Sequence, residues 1–246
     1  MTHLTARVAW GASRLRHLPV GCCLIAIMAG CYAASDYEGN DLPRGRLRLT
    51  VSPDSLPADG YGNSMISVET PLSETNPSPT VSLKTSAGVF EESGTSQVSL
   101  TVDRTGTATA HLRSTVATGV ARLTATLGRL RVEDSVRFVS APPTGLVLDP
   151  AAFALSAKPG TELALRLQLT RTPGRPTAGQ QIRLSATGTG GPIGIFGPVL
   201  PTDTAGKVTV RFTLNDSSYR ALVRIRAAAA GVLDSVRDSV LIQALP

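Results

Sequence analysis

The residues able to do covalent or acid–base chemistry in this 246-residue chain are few and poorly placed for catalysis. Its three cysteines, Cys22, Cys23 and Cys31, fall within ten positions and none follows. A disulfide framework spreads its cysteines along the chain it staples, so this cluster needs another explanation. His111, in "TATAHLRS", is the one histidine beyond His17. It stands in an alternating run, and no G-x-S-x-G elbow supplies a nucleophile to pair with it, which makes it an exposed or rim side chain. Glu91 and Glu92 fall in a loop pattern without an aromatic platform. The glycines of 188–197 miss the G-x-G-x-x-G spacing, because Ile193 stands at the third glycine, and no P-loop occurs. No metal and no cofactor is expected. Calcium takes about 6 to 8 oxygen ligands and no dense acidic motif offers them, and zinc finds too few ligands. These absences together argue against an enzyme.

The cysteine cluster is explained by what surrounds it. Arg7, Arg14 and Arg16 precede an apolar run from Leu18 to Gly30, with no acidic residue in between. The run is too short for the roughly 20 apolar residues that span a bilayer, and a basic stretch before a short apolar one reads as an export signal. It closes as "IMAGC", two small residues, Ala29 and Gly30, directly before Cys31. This resembles the lipobox of bacterial lipoproteins, with Met28 where leucine is commonest. The resemblance implies cleavage between Gly30 and Cys31 and lipidation of the Cys31 sulfur. Two or three acyl chains hold a protein on a membrane, where one chain does so only marginally. Tyr32 follows the cysteine in place of the aspartate that in many Gram-negative bacteria retains lipoproteins at the inner membrane, so the outer membrane is the expected location. The chain would face either the periplasm or the cell surface.

Loss of residues 1–30 would change the inventory. Cys22, Cys23, Trp10, His3 and His17 leave, and removing three of the 24 basic residues leaves 21 against 18 acidic, so the formal charge of +6 falls to +3. That is a weak basis for nucleic-acid binding, and no nucleic-acid partner is expected. Residues 31–45, polar, acidic and without a period, read as a flexible tether.

From Arg46 the chain becomes a series of short alternating segments: "RLRLTVS", "SMISVET", "TVSLKT", "QVSLTVD", "TATAHLR", "VARLTATL", "RVEDSVRFV". Apolar or β-branched residues at every second position, bounded by turn-formers, predict half-buried antiparallel strands. The alanine run at 227–230 is too short for a helix and sits among β-formers. The chain also repeats itself at a spacing of 100: Gly60 with Gly160, Asp103 with Asp203, and Gly106 with Gly206. Asp-x-x-Gly between alternating runs reads as a capped turn, with the aspartate accepting from the backbone and the glycine left-handed, returning the chain as a hairpin. Asp59, Gly60, Asp103, Gly106, Gly160, Asp203 and Gly206 are therefore assigned to turns. The expected architecture is all-β: two tandem Ig-like antiparallel β-sandwiches, over 46–140 and 145–246, joined at "SAPPTG".

The first repeat resembles a bacterial Ig-like domain of group 1, the module repeated in invasin and intimin. The residues that carry the resemblance are Ala58-Asp59-Gly60, "TSAGVF" at 85–90, Asp103-x-x-Gly106 with Ala108, and Gly119 before the last alternating strands. The second repeat keeps Gly160 and "TDTAGKVTVRFT" but lacks Ala-Asp-Gly and carries an insertion, "ATGTGGPIGIFGPV". The resemblance implies non-catalytic modules, stacked as rigid spacers and sometimes adhesive, with no catalytic residue to transfer.

Two surface features follow from the strand pattern. Arg44, Arg46 and Arg48 alternate, and so project from one face of the first strand. They either guard an edge strand against unwanted pairing or touch anionic lipid or lipopolysaccharide phosphate. Ile193, Ile195 and Phe196 among glycines form either a binding loop or a plug for the core. The reading overall is a lipid-anchored adhesive or structural spacer, with the membrane as partner and a protein or glycan as candidate ligand. A carbohydrate- or polymer-binding module of the cell envelope is the alternative. Tyr61 and Tyr219 are the aromatic faces such a module would use.

Overall fold

The computed structural model describes residues 46–71 and 78–246. The expected signal and tether, with Gly30, Cys31 and Arg44, lie outside the described residues. No helix among the described residues is long and apolar enough to cross a membrane.

The first repeat forms β1 (Arg48–Ser52), β2 (Ser55–Pro57), β3 (Asn63–Glu69), β4 (Thr80–Thr85), β5 (Val89–Phe90), β6 (Gln97–Thr101), β7 (Thr107–Arg113), β8 (Gly119–Leu127) and β9 (Leu130–Val139). These make two sheets, in the orders β1-β3-β7-β5 and β2-β9-β8-β4-β6. The second repeat forms β10 (Gly145–Pro150), β11 (Ala154–Ser156), β12 (Leu163–Thr170), β13 (Ile182–Gly188), β14 (Gly191–Pro192), β15 (Ile195–Phe196), β16 (Lys207–Thr213), β17 (Leu222–Ala230) and β18 (Ser235–Leu245). Its sheets run β10-β12-β16-β15 and β11-β18-β17-β13-β14. The alanine run lies inside β17.

Alternation decides what goes inside. In β7, Ala108, Ala110 and Leu112 are buried while Thr109, His111 and Arg113 face outward. Ile66, Val68, Leu83, Phe90, Leu112 and Leu123 build the first core. Leu165, Leu167, Leu169, Phe212, Ile225 and Ile242 build the second. Each such side chain contributes roughly 1.5–3 kcal/mol by leaving water. Each repeat thus closes its own Ig-like sandwich, and both belong to one compact unit.

The structure departs from the sequence expectation in two places. Strand pairing is antiparallel except for β2 with β9 and β11 with β18, which are parallel. After β1 or β10 the chain crosses to the facing sheet without reversing, and so runs alongside the last strand of its sandwich. The second departure is the Asp103-x-x-Gly106 turn, which is not a hairpin. It joins β6 to β7, strands of opposite sheets, because a sandwich must pass its chain between layers as well as back along one.

Candidate functional site

The Asp-x-x-Gly turns superimpose in chemistry. Asp103 Oδ1 accepts from the Thr105 and Thr107 amides at 2.8 and 2.9 Å, and Asp203 Oδ1 accepts from Ala205 and Lys207, both at 2.8 Å. Gly106 N donates to Asp103 O and Gly206 N to Asp203 O. Both carboxyls are held below the ordinary aspartate range. The Thr105 hydroxyl is the first cause at Asp103, and the Lys207 amide is the first at Asp203. These carboxylates are engaged with their own backbone, which is structural work.

The other candidates are scattered over the two sandwiches. His111 is half-exposed on β7, with Nδ1 3.0 Å from Glu92 Oε1, and Glu92 also accepts the His111 amide. Arg48, on edge strand β1, lies 3.8 Å from Glu69, and Arg46 is exposed. Ile193 and Phe196 pack against the second core, with the Phe196 and Phe212 ring centroids 5.0 Å apart, whereas Ile195 is exposed. Tyr61 is exposed, while Tyr219 donates to Leu222 O and accepts from the Thr189 amide. Gly160 has a left-handed backbone in an exposed turn. Among the described residues, no group of three or more His, Cys, Asp or Glu is gathered as a metal would require.

What the fold does bring together is the joint between the sandwiches, centred on Asp59. Ala58 and Asp59 follow β2 and are almost wholly buried. Asp59 Oδ1 accepts from the amides of Tyr61 and Gly62, each at 2.9 Å, and from Ser114 Oγ at 3.3 Å. Its Oδ2 lies 3.7 Å from Arg171 Nε. That is ion-pair distance but too long for a hydrogen bond, and Arg171 Nε has no hydrogen-bond partner. The same guanidinium donates from Nη1 to Pro142 O in the linker at 2.8 Å.

Arg171 opens the loop between β12 and β13, and this loop clamps the first sandwich through main-chain groups. Arg175 N donates to Asp59 O at 2.9 Å and Ala178 N to Val116 O at 2.8 Å. Buried Thr177 uses both capacities of its hydroxyl, donating to Ala58 O at 3.0 Å and accepting from Ala141 N at 2.7 Å. Its amide also donates to Ala141 O. Gly174 makes the approach feasible: its φ is +80°, and a Cβ there would stand 2.8 Å from Asp59 O. A linker held on both sides by buried hydrogen bonds does not swing freely, because each opened bond leaves a polar group without its partner.

The sequence reading placed Asp59 in a turn and did not see its partners Arg171, Gly174, Arg175 and Thr177. A signal was present. At the spacing of 100, Ala58-Asp59-Gly60 aligns with Lys158-Pro159-Gly160, and these second-repeat residues are exposed. The aspartate appears where a neighbouring sandwich closes over the corner.

A pair of Ig-like sandwiches in tandem is the class that this fold defines. Two solved structures are instructive. One is the crystal structure of invasin, described as a bacterial integrin-binding protein, at 20% identity and a TM-score of 0.60, covering 81% of this chain and 39% of that one. The other is the Yersinia pseudotuberculosis adhesin InvE, at 18% identity and a TM-score of 0.50, covering 81% of this chain and 60% of that one. The likeness is one of fold, and this chain spans about two fifths of the invasin chain. No protein-family model matches the sequence, and no curated protein matches it.

Proposed function

We propose that this protein is a non-catalytic module of the bacterial cell envelope. It is anchored by lipid on Cys31 and holds two Ig-like sandwiches, 46–140 and 145–246, off the outer membrane as a stiff adhesive or structural spacer. The observation that carries the reading is the Asp59 joint: a spacer must keep its modules in line, and here the linker and the β12–β13 loop are tied to the first sandwich by buried hydrogen bonds. The adhesin folds among its structural neighbours support the same reading.

The anchor is tested by fractionating cells that express the full chain or its Cys31→Ser variant, with metabolic labelling by a clickable fatty acid. Wild type is expected in the outer-membrane fraction and labelled, and the variant soluble and unlabelled. Unchanged membrane association of the variant would remove the lipid anchor from this proposal and leave the spacer role to the joint alone.

A further inference from the structure

The outer face of the β11-β18-β17-β13-β14 sheet carries an arrangement of charge that the spacer role does not require. Register places Arg183, Ala228 and Arg237 in one row across β13, β17 and β18, and Ser185, Arg226 and Ser239 in the next. Arg224 lies one row further along β17. All four arginines are exposed. None forms an ion pair among the described residues, and the one hydrogen bond among their guanidiniums is from Arg237 Nε to Ser235 Oγ at 2.7 Å. The small side chains Ala228, Ser185 and Ser239 leave an open trough of about 580 Å³ between the long arginines. Asp238 contributes to the wall, but register sets it opposite inward-facing Ala227. Its carboxylate accepts from the amides of Leu148 and Ser239.

This is not the general state of the surface. On the facing sheet of the same sandwich, Arg166 pairs with Asp149 and Arg211 with Glu162. On the corresponding sheet of the first sandwich, Arg122 and Arg137 also lack an ion pair among the described residues, but Arg131 pairs with Glu133, and register sets that glutamate in the row of Lys84, so an acid stands among the cations of that face.

We infer that this trough binds an acidic polysaccharide. Strands lie roughly 4.8 Å apart and residues rise roughly 3.3 Å along them. Arg183 and Arg237 are therefore spaced by roughly 10 Å across the sheet, and Arg224 and Arg226 by roughly 7 Å along it. Guanidiniums rooted on one sheet face at such intervals meet acid groups recurring along an extended polymer, each by a charge-assisted and frequently bidentate hydrogen bond. The serine hydroxyls beside Arg226 offer both donor and acceptor to sugar hydroxyls. The trough lacks the deep apolar pocket in which a protein partner seats an aromatic or aliphatic anchor, and a polysaccharide does not need one.

The test uses the soluble unit from residue 41 to 246, which contains both cores and does not depend on the lipid anchor. Its affinity is measured for heparin and polygalacturonate, against neutral dextran, polyglutamate and anionic phosphatidylglycerol vesicles. Binding is expected to the acidic polysaccharides and not to dextran, falling steeply with salt. The triple variant Arg183→Gln, Arg226→Gln, Arg237→Gln should bind at least tenfold more weakly. Lys84→Gln, Arg122→Gln, Arg131→Gln, which removes the same charge from the first sandwich, should change binding less than twofold. Unaltered thermal unfolding shows that each variant is folded, and replacement of the three arginines by lysine should restore part of the affinity. Equal loss in both triple variants, or stronger binding to polyglutamate or to the vesicles than to either polysaccharide, would overturn the inference. Any of these outcomes leaves the Cys31 anchor and the spacer role standing, since those are read by fractionation and by the joint.

Discussion

The two sandwiches share turns and topology but differ at their corners and on their outer faces. Asp103 and Asp203 close the same turn by accepting from the same backbone amides, and Gly106 O and Gly206 O accept from the amides of Thr70, just past β3, and of Leu169, in β12. Yet the corner after β2 holds a buried aspartate, whereas the corner after β11 holds exposed Lys158 and Pro159. The outer face of the second sandwich likewise gathers four arginines with no acid in their rows, where that of the first sets Glu133 among its cations. What repeats is the set of contacts that each sandwich needs to close. What diverges is what each presents to something outside itself: a neighbouring sandwich in one case and, by our inference, a polyanion in the other.

The largest effect is expected at the corners. Asp59→Ala strands two amides, the Ser114 hydroxyl and the Arg171 guanidinium, and should cost about 2–4 kcal/mol in denaturant unfolding. It should also broaden the small-angle scattering envelope as the joint loosens. Lys158→Ala, at the matching corner, should stay within about 0.5 kcal/mol, as exposed substitutions usually do. Equal losses at the two corners would break the contrast.

A smaller effect tests the likeness. Gly106 and Gly206 have φ of +86° and +74°. A Cβ at Gly206 would stand 2.6 Å from Leu169 O and 3.1 Å from Pro176 Cγ. Gly206→Ala should cost about 1–3 kcal/mol, and Gly106→Ala at least about 1 kcal/mol from its left-handed backbone alone. A Gly106→Ala protein as stable as wild type would mean that the turns are not equivalent.

The smallest effect is electrostatic. Because the Asp103 and Asp203 carboxyls are depressed in the folded state, the stability they lend is present above the unfolded aspartate pKa and is lost as pH falls through the lower folded values. Carboxyl NMR titration should find both below the ordinary range. Thr105→Ala should raise Asp103 by removing the hydroxyl that contributes most, and Ala205→Thr should lower Asp203. An unmoved Asp103 would show that the backbone amides alone set its acidity.

Much of this was legible in the residues themselves. "TATAHLR" is β7 from its first residue to its last, and "TVSLKT" is β4, because side chains alternate across a strand wherever it is half-buried. Strands too short to show a period, such as β2 and β5, were not legible, and neither was the parallel pairing of β2 with β9, which depends on where the other strands lie. The glycine-rich insertion kept both readings open in sequence. Packing then sent Ile193 and Phe196 to the core and left Ile195 in solvent.

Alternation, turn chemistry and internal repetition, all local properties, determined from the sequence alone that the chain is all-β, twofold repeated and built as Ig-like sandwiches. Only the tertiary structure decided what Asp59 meets and that Arg183, Arg224, Arg226 and Arg237 share one sheet face. Asp59 meets Arg171 across 112 positions of chain, and Arg183 shares its row with Arg237 across β17. Such pairings are set by how sheets register and how one sandwich closes on the next, and no pattern within a single strand encodes them.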